Sequence, residues 1–159
     1  EIDGISAGGM PTRVKCLHVL VAHSLSVGPG INPLGDEALA LLGEDTEHKV
    51  KGFVGITPVM ALPPEARALT YIMGPWQGAV PDAADPVTWS PDAFAGRDFR
   101  LYRSDQDTTV PDIAGARAFA KKFGDVAQIE VIDCPGGHVA PACFRGDEVT
   151  EWMKKRASS

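Results

Sequence analysis

Long hydrophobic runs are missing from this chain of 159 residues. No apolar stretch approaches the roughly 18 residues of a membrane-spanning helix, so no membrane partner is expected. Positive charge is also in short supply. The 15 Lys and Arg face 21 Asp and Glu, a formal net charge of −6, so nucleic acid is not an expected partner either. There is no P-loop, no Gly-x-Gly-x-x-Gly and no paired-cysteine motif, which removes nucleotide binding and zinc fingers and leaves no cofactor expected. Cysteine is scarce. The three present are an odd count, and the expectation is three reduced, partly buried thiols in a cytoplasmic setting. In an oxidising compartment Cys134 and Cys143 are the candidates for a bridge, and Cys16 stays free. No signal-peptide pattern is seen, and the first residue is Glu1 rather than Met, which leaves room for a removed upstream segment.

What is present is an ordinary globular composition, 44% hydrophobic and 23% charged, enough for one domain with a real core. Val14 to Leu25 is apolar and fits two periods. Val14, Leu17, Val21 and Leu25 keep helical spacing, while Leu17, Val19 and Val21 alternate as in a strand. Gly28-Pro29-Gly30 then breaks any element, and Asp36 to Leu42 reads as a short helix stopped by Gly43. Val50 to Val59 reads as a buried strand, and Pro63-Pro64 as the opening of a helical turn. Gly74 to Pro91, rich in Pro, Gly and Asp, reads as a long surface loop or cap of the kind that is often functional.

Phe99 to Tyr102 is the next strand. Asp112 is expected to cap a helix with Ile113, Ala116, Phe119, Ala120 and Phe123 on one face, ended by Gly124. Gln128 to Asp133 is the last strand. Asp147 is expected to cap a final helix whose cations Lys154, Lys155 and Arg156 sit at its C-terminal end. From residue 50 the order is strand, loop, strand, helix, strand, helix. It implies an α/β fold with a mostly parallel sheet and flanking helices.

Two segments carry the chemistry. Asp107-Thr108-Thr109-Val110-Pro111 follows one strand, and Cys134-Pro135-Gly136-Gly137-His138 follows the next. An acid after one strand and a histidine after the following strand is the second half of a Ser…Asp…His relay. Residues from about 46 to 159 resemble the C-terminal half of an α/β-hydrolase, in which Asp-x-x-Val-Pro carries the acid and Gly-Gly-His the base. The strand Val50 to Val59 resembles the one after the nucleophile helix, and the loop from Gly74 takes the place of a substrate-binding cap. The first half of that fold is not evident, so the expected fold is α/β-hydrolase-like but incomplete. Residues from about 6 to 42, from Ser-Ala-Gly-Gly-Met-Pro to Gly-Asp-Glu-Ala-Leu, resemble the end of an actinobacterial family of unknown function. The chain therefore reads as a fusion or chimera, with an N-terminal segment over 1–45 and a hydrolase-like part over 46–159.

The nucleophile position falls to Ser24. Ala22-His23-Ser24-Leu25-Ser26 has the small-x-Ser-x-small spacing that a tight strand-to-helix turn requires. Ser24 also precedes Asp107 and His138 in the family's order. In that role His138 takes the Ser24 Oγ proton, Asp107 orients His138, and the Leu25 N–H is an oxyanion donor worth about 3 kcal/mol. Against it stand the early Gly28-Pro29-Gly30 break and the lack of an early strand to supply a second oxyanion donor. The alternative places Ser24 within a helix, at the surface or bonded to a backbone carbonyl. Asp105 is the second-choice acid.

The implied substrate is a small-molecule ester, cleaved without cofactor. Trp76, Trp89 and Tyr71 are either acyl-pocket or packing residues. The alternative function is a non-catalytic fusion that keeps only remnants of a hydrolase site. A third reading, a zinc site of Cys16, His18 and His23, lacks an evident fourth ligand. The strands after residue 50 leave a sheet edge unpaired, which invites homo-oligomerisation.

Overall fold

A computed structural model describes residues 18–23 by their backbone, together with residues 50–68, 82 and 85–157. Four strands form one sheet in sequence order: β1 (His18–His23), β2 (Val50–Ile56), β3 (Asp98–Arg103) and β4 (Gln128–Asp133). Every neighbouring pair is parallel. The register runs from His23 to Ile56, then Tyr102, then Ile132, so all four strands end along one rim of the sheet. In open parallel sheets that C-terminal rim is where ligands bind.

Side-chain alternation divides the core between two faces. Phe53, Phe99 and Leu101 turn to one face, where they pack with Phe94 and with Phe119 and Phe123 of helix α2 (Ala116–Phe123). The rings interlock closely: Phe94 and Phe123 have centroids 4.7 Å apart, and Phe99 and Phe119 are 5.1 Å apart. Val54, Ile56 and Tyr102 turn to the other face, against Trp152 of helix α3 (Gly146–Ala157). Gly52 makes that second contact possible, because a Cβ there would lie 2.7 Å from the Trp152 ring. A sheet covered by a helix on each face is the α/β arrangement that the strand–helix alternation implies. Among the described residues no helix is long and apolar enough to cross a membrane.

The N-terminal ambiguity resolves over His18–His23 to strand. That strand pairs with β2, so residues on both sides of position 45 share one sheet, and β2 is not the open edge of the sheet. The strand from Val50 stops at Ile56 rather than Val59 because Thr57 turns the chain at φ 47°. The turn after Pro63 is a short helix, α1 (Pro64–Arg67).

The helix expected from Asp112 starts later. Asp112–Ala114 is a 3-10 turn, Gly115 is extended, and α2 begins at Ala116. Ile113 is consequently exposed instead of lying on the core face. Gly124 ends α2, its N–H bonded to the Ala120 carbonyl. Helix α3 begins at Gly146, so Asp147 lies in the first turn, with Lys154, Lys155 and Arg156 in the last. The expectation of three free thiols fails, because Cys134 and Cys143 are bridged. Their Cα atoms are 5.2 Å apart since the loop after β4 returns to the second face, where both sulfurs join the core with Tyr102 and Trp152.

Candidate active site

The segment after β3 is folded by its own side chains. Ser104 Oγ accepts from the Gln106 N–H at 3.0 Å and donates to the Gly136 carbonyl. Asp107 then bends the chain back on itself. Its Oδ1 accepts from the Thr109 N–H at 2.8 Å and the Val110 N–H at 2.9 Å. A carboxylate bonded to the backbone two and three residues ahead is a rigid local turn. It leaves the second oxygen, Oδ2, as the only free acceptor on a side chain that is 2% exposed.

The segment after β4 meets it. The Cys134 N–H donates to the Arg103 carbonyl at 2.8 Å, which extends the strand contact by one step. The chain then turns through Gly136 at φ 100°, where a Cβ would strike Ala140 at 2.7 Å. These turns bring His138 Nδ1 to 2.9 Å from Asp107 Oδ2. An ionised carboxylate only accepts, so in the neutral imidazole that faces it Nδ1 carries the proton and Nε2 presents its lone pair. Nε2 is buried and has no hydrogen-bond partner among the described residues. Buried polar atoms are nearly always satisfied, so this nitrogen marks where a further donor belongs.

The His138 loop also travels. β1 and β4 are three strand steps apart, about 14 Å at ~4.8 Å per step. The loop returns across that span far enough for the Val139 N–H to donate to Thr57 Oγ1 at 3.3 Å. Thr57 follows β2, the strand beside β1. Arg103, at the end of β3, links the segment after that strand to the end of β4. Its Nε reaches Asp112 at 3.1 Å and its Nη1 reaches Asp133 at 2.5 Å.

Asp107 and His138 are thus brought together, and the second-choice acid Asp105 is exposed. Ser24 and Leu25 lie outside the described residues, as do Cys16, Tyr71 and Trp76; Ser24 follows the last residue of β1 in sequence. Trp89 stacks on Phe94 with centroids 6.0 Å apart, a packing role. Among the described residues no three His, Cys, Asp or Glu side chains gather as a metal would need. Thr57, Arg103 and Ser104 did not stand out from the sequence as parts of this site, whereas Cys134 and Cys143 did, as the candidates for a bridge in an oxidising compartment. Ser104 alone carried a signal, as a short polar residue at a strand end two residues before a backbone N–H it can cap.

A family model described as a protein of unknown function, DUF501, matches residues 1–40. No curated protein matches the chain. Among solved structures, the chain is similar to the acetyl ester-xyloside bifunctional hydrolase from Caldicellulosiruptor lactoaceticus, at 20% identity and a TM-score of 0.52. The likeness covers 91% of this chain and 55% of that one. The chain therefore spans about half the length of the hydrolase whose fold it shares.

Proposed function

We propose that the chain hydrolyses carboxylic-ester or related acyl bonds through Ser24, His138 and Asp107. The observation that carries this reading is the Asp107–His138 pair: an acid held by two backbone N–H groups, 2.9 Å from an imidazole whose other nitrogen is buried without a described partner. A serine hydroxyl is the donor such a nitrogen serves in acyl transfer. Ser24 is the serine that follows β1, and the Val139–Thr57 contact draws the His138 loop toward that side of the sheet.

In the reaction His138 Nε2 takes the Ser24 Oγ proton as Oγ attacks the acyl carbon. Asp107 stabilises the resulting imidazolium, and the Leu25 N–H stabilises the oxyanion. His138 then returns the proton to the leaving alcohol, and water repeats the sequence to free the acid. Small acetyl esters are the first substrates to try, because the solved neighbour is described as acting on acetyl esters.

A second reading has its own observation. The family model of unknown function spans residues 1–40 and so includes Ser24. On that reading the chain is a fusion near residue 45, and Asp107 and His138 are remnants. Hydrolysis of p-nitrophenyl acetate by the natural chain, lost in Ser24→Ala and in His138→Ala, supports the enzyme. Turnover that survives Ser24→Ala removes Ser24 from the mechanism. Homo-oligomerisation through a sheet edge belongs to either reading. Among the described residues the sheet ends at β1 on one side and at β4 on the other, and a monodisperse monomer by light scattering contradicts association through either edge.

A further inference from the structure

Among the described residues, two that are not glycine have positive φ: Thr57 at 47° and Val139 at 52°. Both are β-branched, the side-chain class that tolerates this region least. They are 82 residues apart in sequence, yet they bond to each other, the Val139 N–H donating to Thr57 Oγ1 at 3.3 Å. Backbone strain of this kind persists only where surrounding contacts fix it, and it clusters at functional sites. Here both strained residues meet one step from His138.

From this convergence we infer that Thr57 is a positioning residue for His138. The inference rests on the hydrolase reading for its consequence in catalysis. Thr57 is itself anchored: it is 2% exposed, and its N–H donates to the Tyr102 carbonyl at 2.8 Å, continuing the β2–β3 ladder past the end of the strand. Its turn aims the hydroxyl off the rim, where it holds the residue after His138. Asp107 fixes the imidazole from the β3 side and Thr57 fixes its backbone from the β2 side. Two anchors on different strands set both the tilt of the ring and its reach toward β1. One anchor alone leaves the ring free to swing about the Asp107 bond. The hydroxyl explains why a residue other than glycine occupies a position whose backbone favours glycine.

The test compares Thr57→Val, which keeps the shape and removes the acceptor, with Thr57→Ser, which keeps the hydroxyl. The first readout is the His138 Nδ1–H proton signal in NMR, which reports the ring's hold on Asp107 whether or not the chain turns over. Thr57→Val is expected to broaden or lose that signal, and Thr57→Ser to retain it. The second readout is acetyl-ester hydrolysis. Thr57→Val is expected to lower kcat roughly 10- to 100-fold with KM within about twofold, because misplacing a reacting group costs rate more than binding. Thr57→Ser is expected to stay near the natural rate.

A His138 signal unchanged in a folded Thr57→Val chain overturns the inference, even where the hydrolase reading stands. A natural chain without esterase activity overturns the hydrolase reading, while the NMR comparison still decides the role of Thr57. Where Thr57→Val does not fold, Thr57→Ala takes its place with the same two readouts.

Discussion

His138 Nδ1 lies 2.9 Å from Asp107 Oδ2, across 31 residues of sequence. Two loops from neighbouring strands make this contact, and each is fixed before they meet. Asp107 is held by the Thr109 and Val110 amides, and His138 by the turn through Gly136 and the tether at Val139. A carboxylate held in this way favours the imidazole tautomer with its proton on Nδ1. That preorganisation is what a general base requires.

Asp107→Asn tests the tautomer. An amide in place of the carboxylate offers an N–H as well as an oxygen and no longer compels Nδ1 to carry the proton. Hydrolysis of p-nitrophenyl acetate is expected to fall by about 10²- to 10⁴-fold in kcat. Circular dichroism is expected to show an unchanged fold. A rate within threefold of the natural chain contradicts the role given to Asp107.

The Cys134–Cys143 bridge closes the loop that bears His138. Closing a span of this length restricts the unfolded chain by roughly 2–3 kcal/mol. The double variant Cys134→Ser/Cys143→Ser is expected to lose about that much in urea unfolding, with a steeper slope because the unbridged unfolded chain exposes more surface. An unaltered midpoint means the bridge does not stabilise the fold.

Phe119 stands among Phe94, Phe99 and Phe123 on the first face of the sheet and is fully buried. Phe119→Ala removes a ring from a packed cluster and is expected to cost about 3–5 kcal/mol. Ile113→Ala, at a residue 51% exposed, is expected to change stability by less than about 0.5 kcal/mol. Equal effects in the two variants contradict the shift of helix start from Asp112 to Ala116.

Much of the frame was legible in the residues. The last strand falls on Gln128–Asp133 as its alternation indicates, and the strand at Phe99 extends by one residue on each side. Gly124 ends α2 and the cations close α3, because local capping and dipole effects act within one turn and so appear in sequence. Other features were not legible. A strand in a parallel sheet reads as a short apolar run, which a helix also satisfies, so Val14 to Leu25, which holds the strand His18–His23, fitted both periods. The turn at Thr57 and the late start of α2 at Ala116 go with long-range contacts, the Val139 N–H on Thr57 Oγ1 and the Met60 and Ala61 N–H groups on the Ala114 carbonyl.

The pair of Asp107 and His138 was legible because each closes a strand with its own short motif. Thr57 was not, because its partner, Val139, is 82 residues away. Ser24 was singled out by the small residues around it and by its order before Asp107 and His138, and it lies outside the described residues.

Fluorophosphonate labelling read by intact mass tests the central claim most directly. The expected result is a single adduct on the natural chain, absent in both Ser24→Ala and His138→Ala. A folded natural chain that takes no adduct, or one that keeps its adduct in Ser24→Ala, contradicts the account.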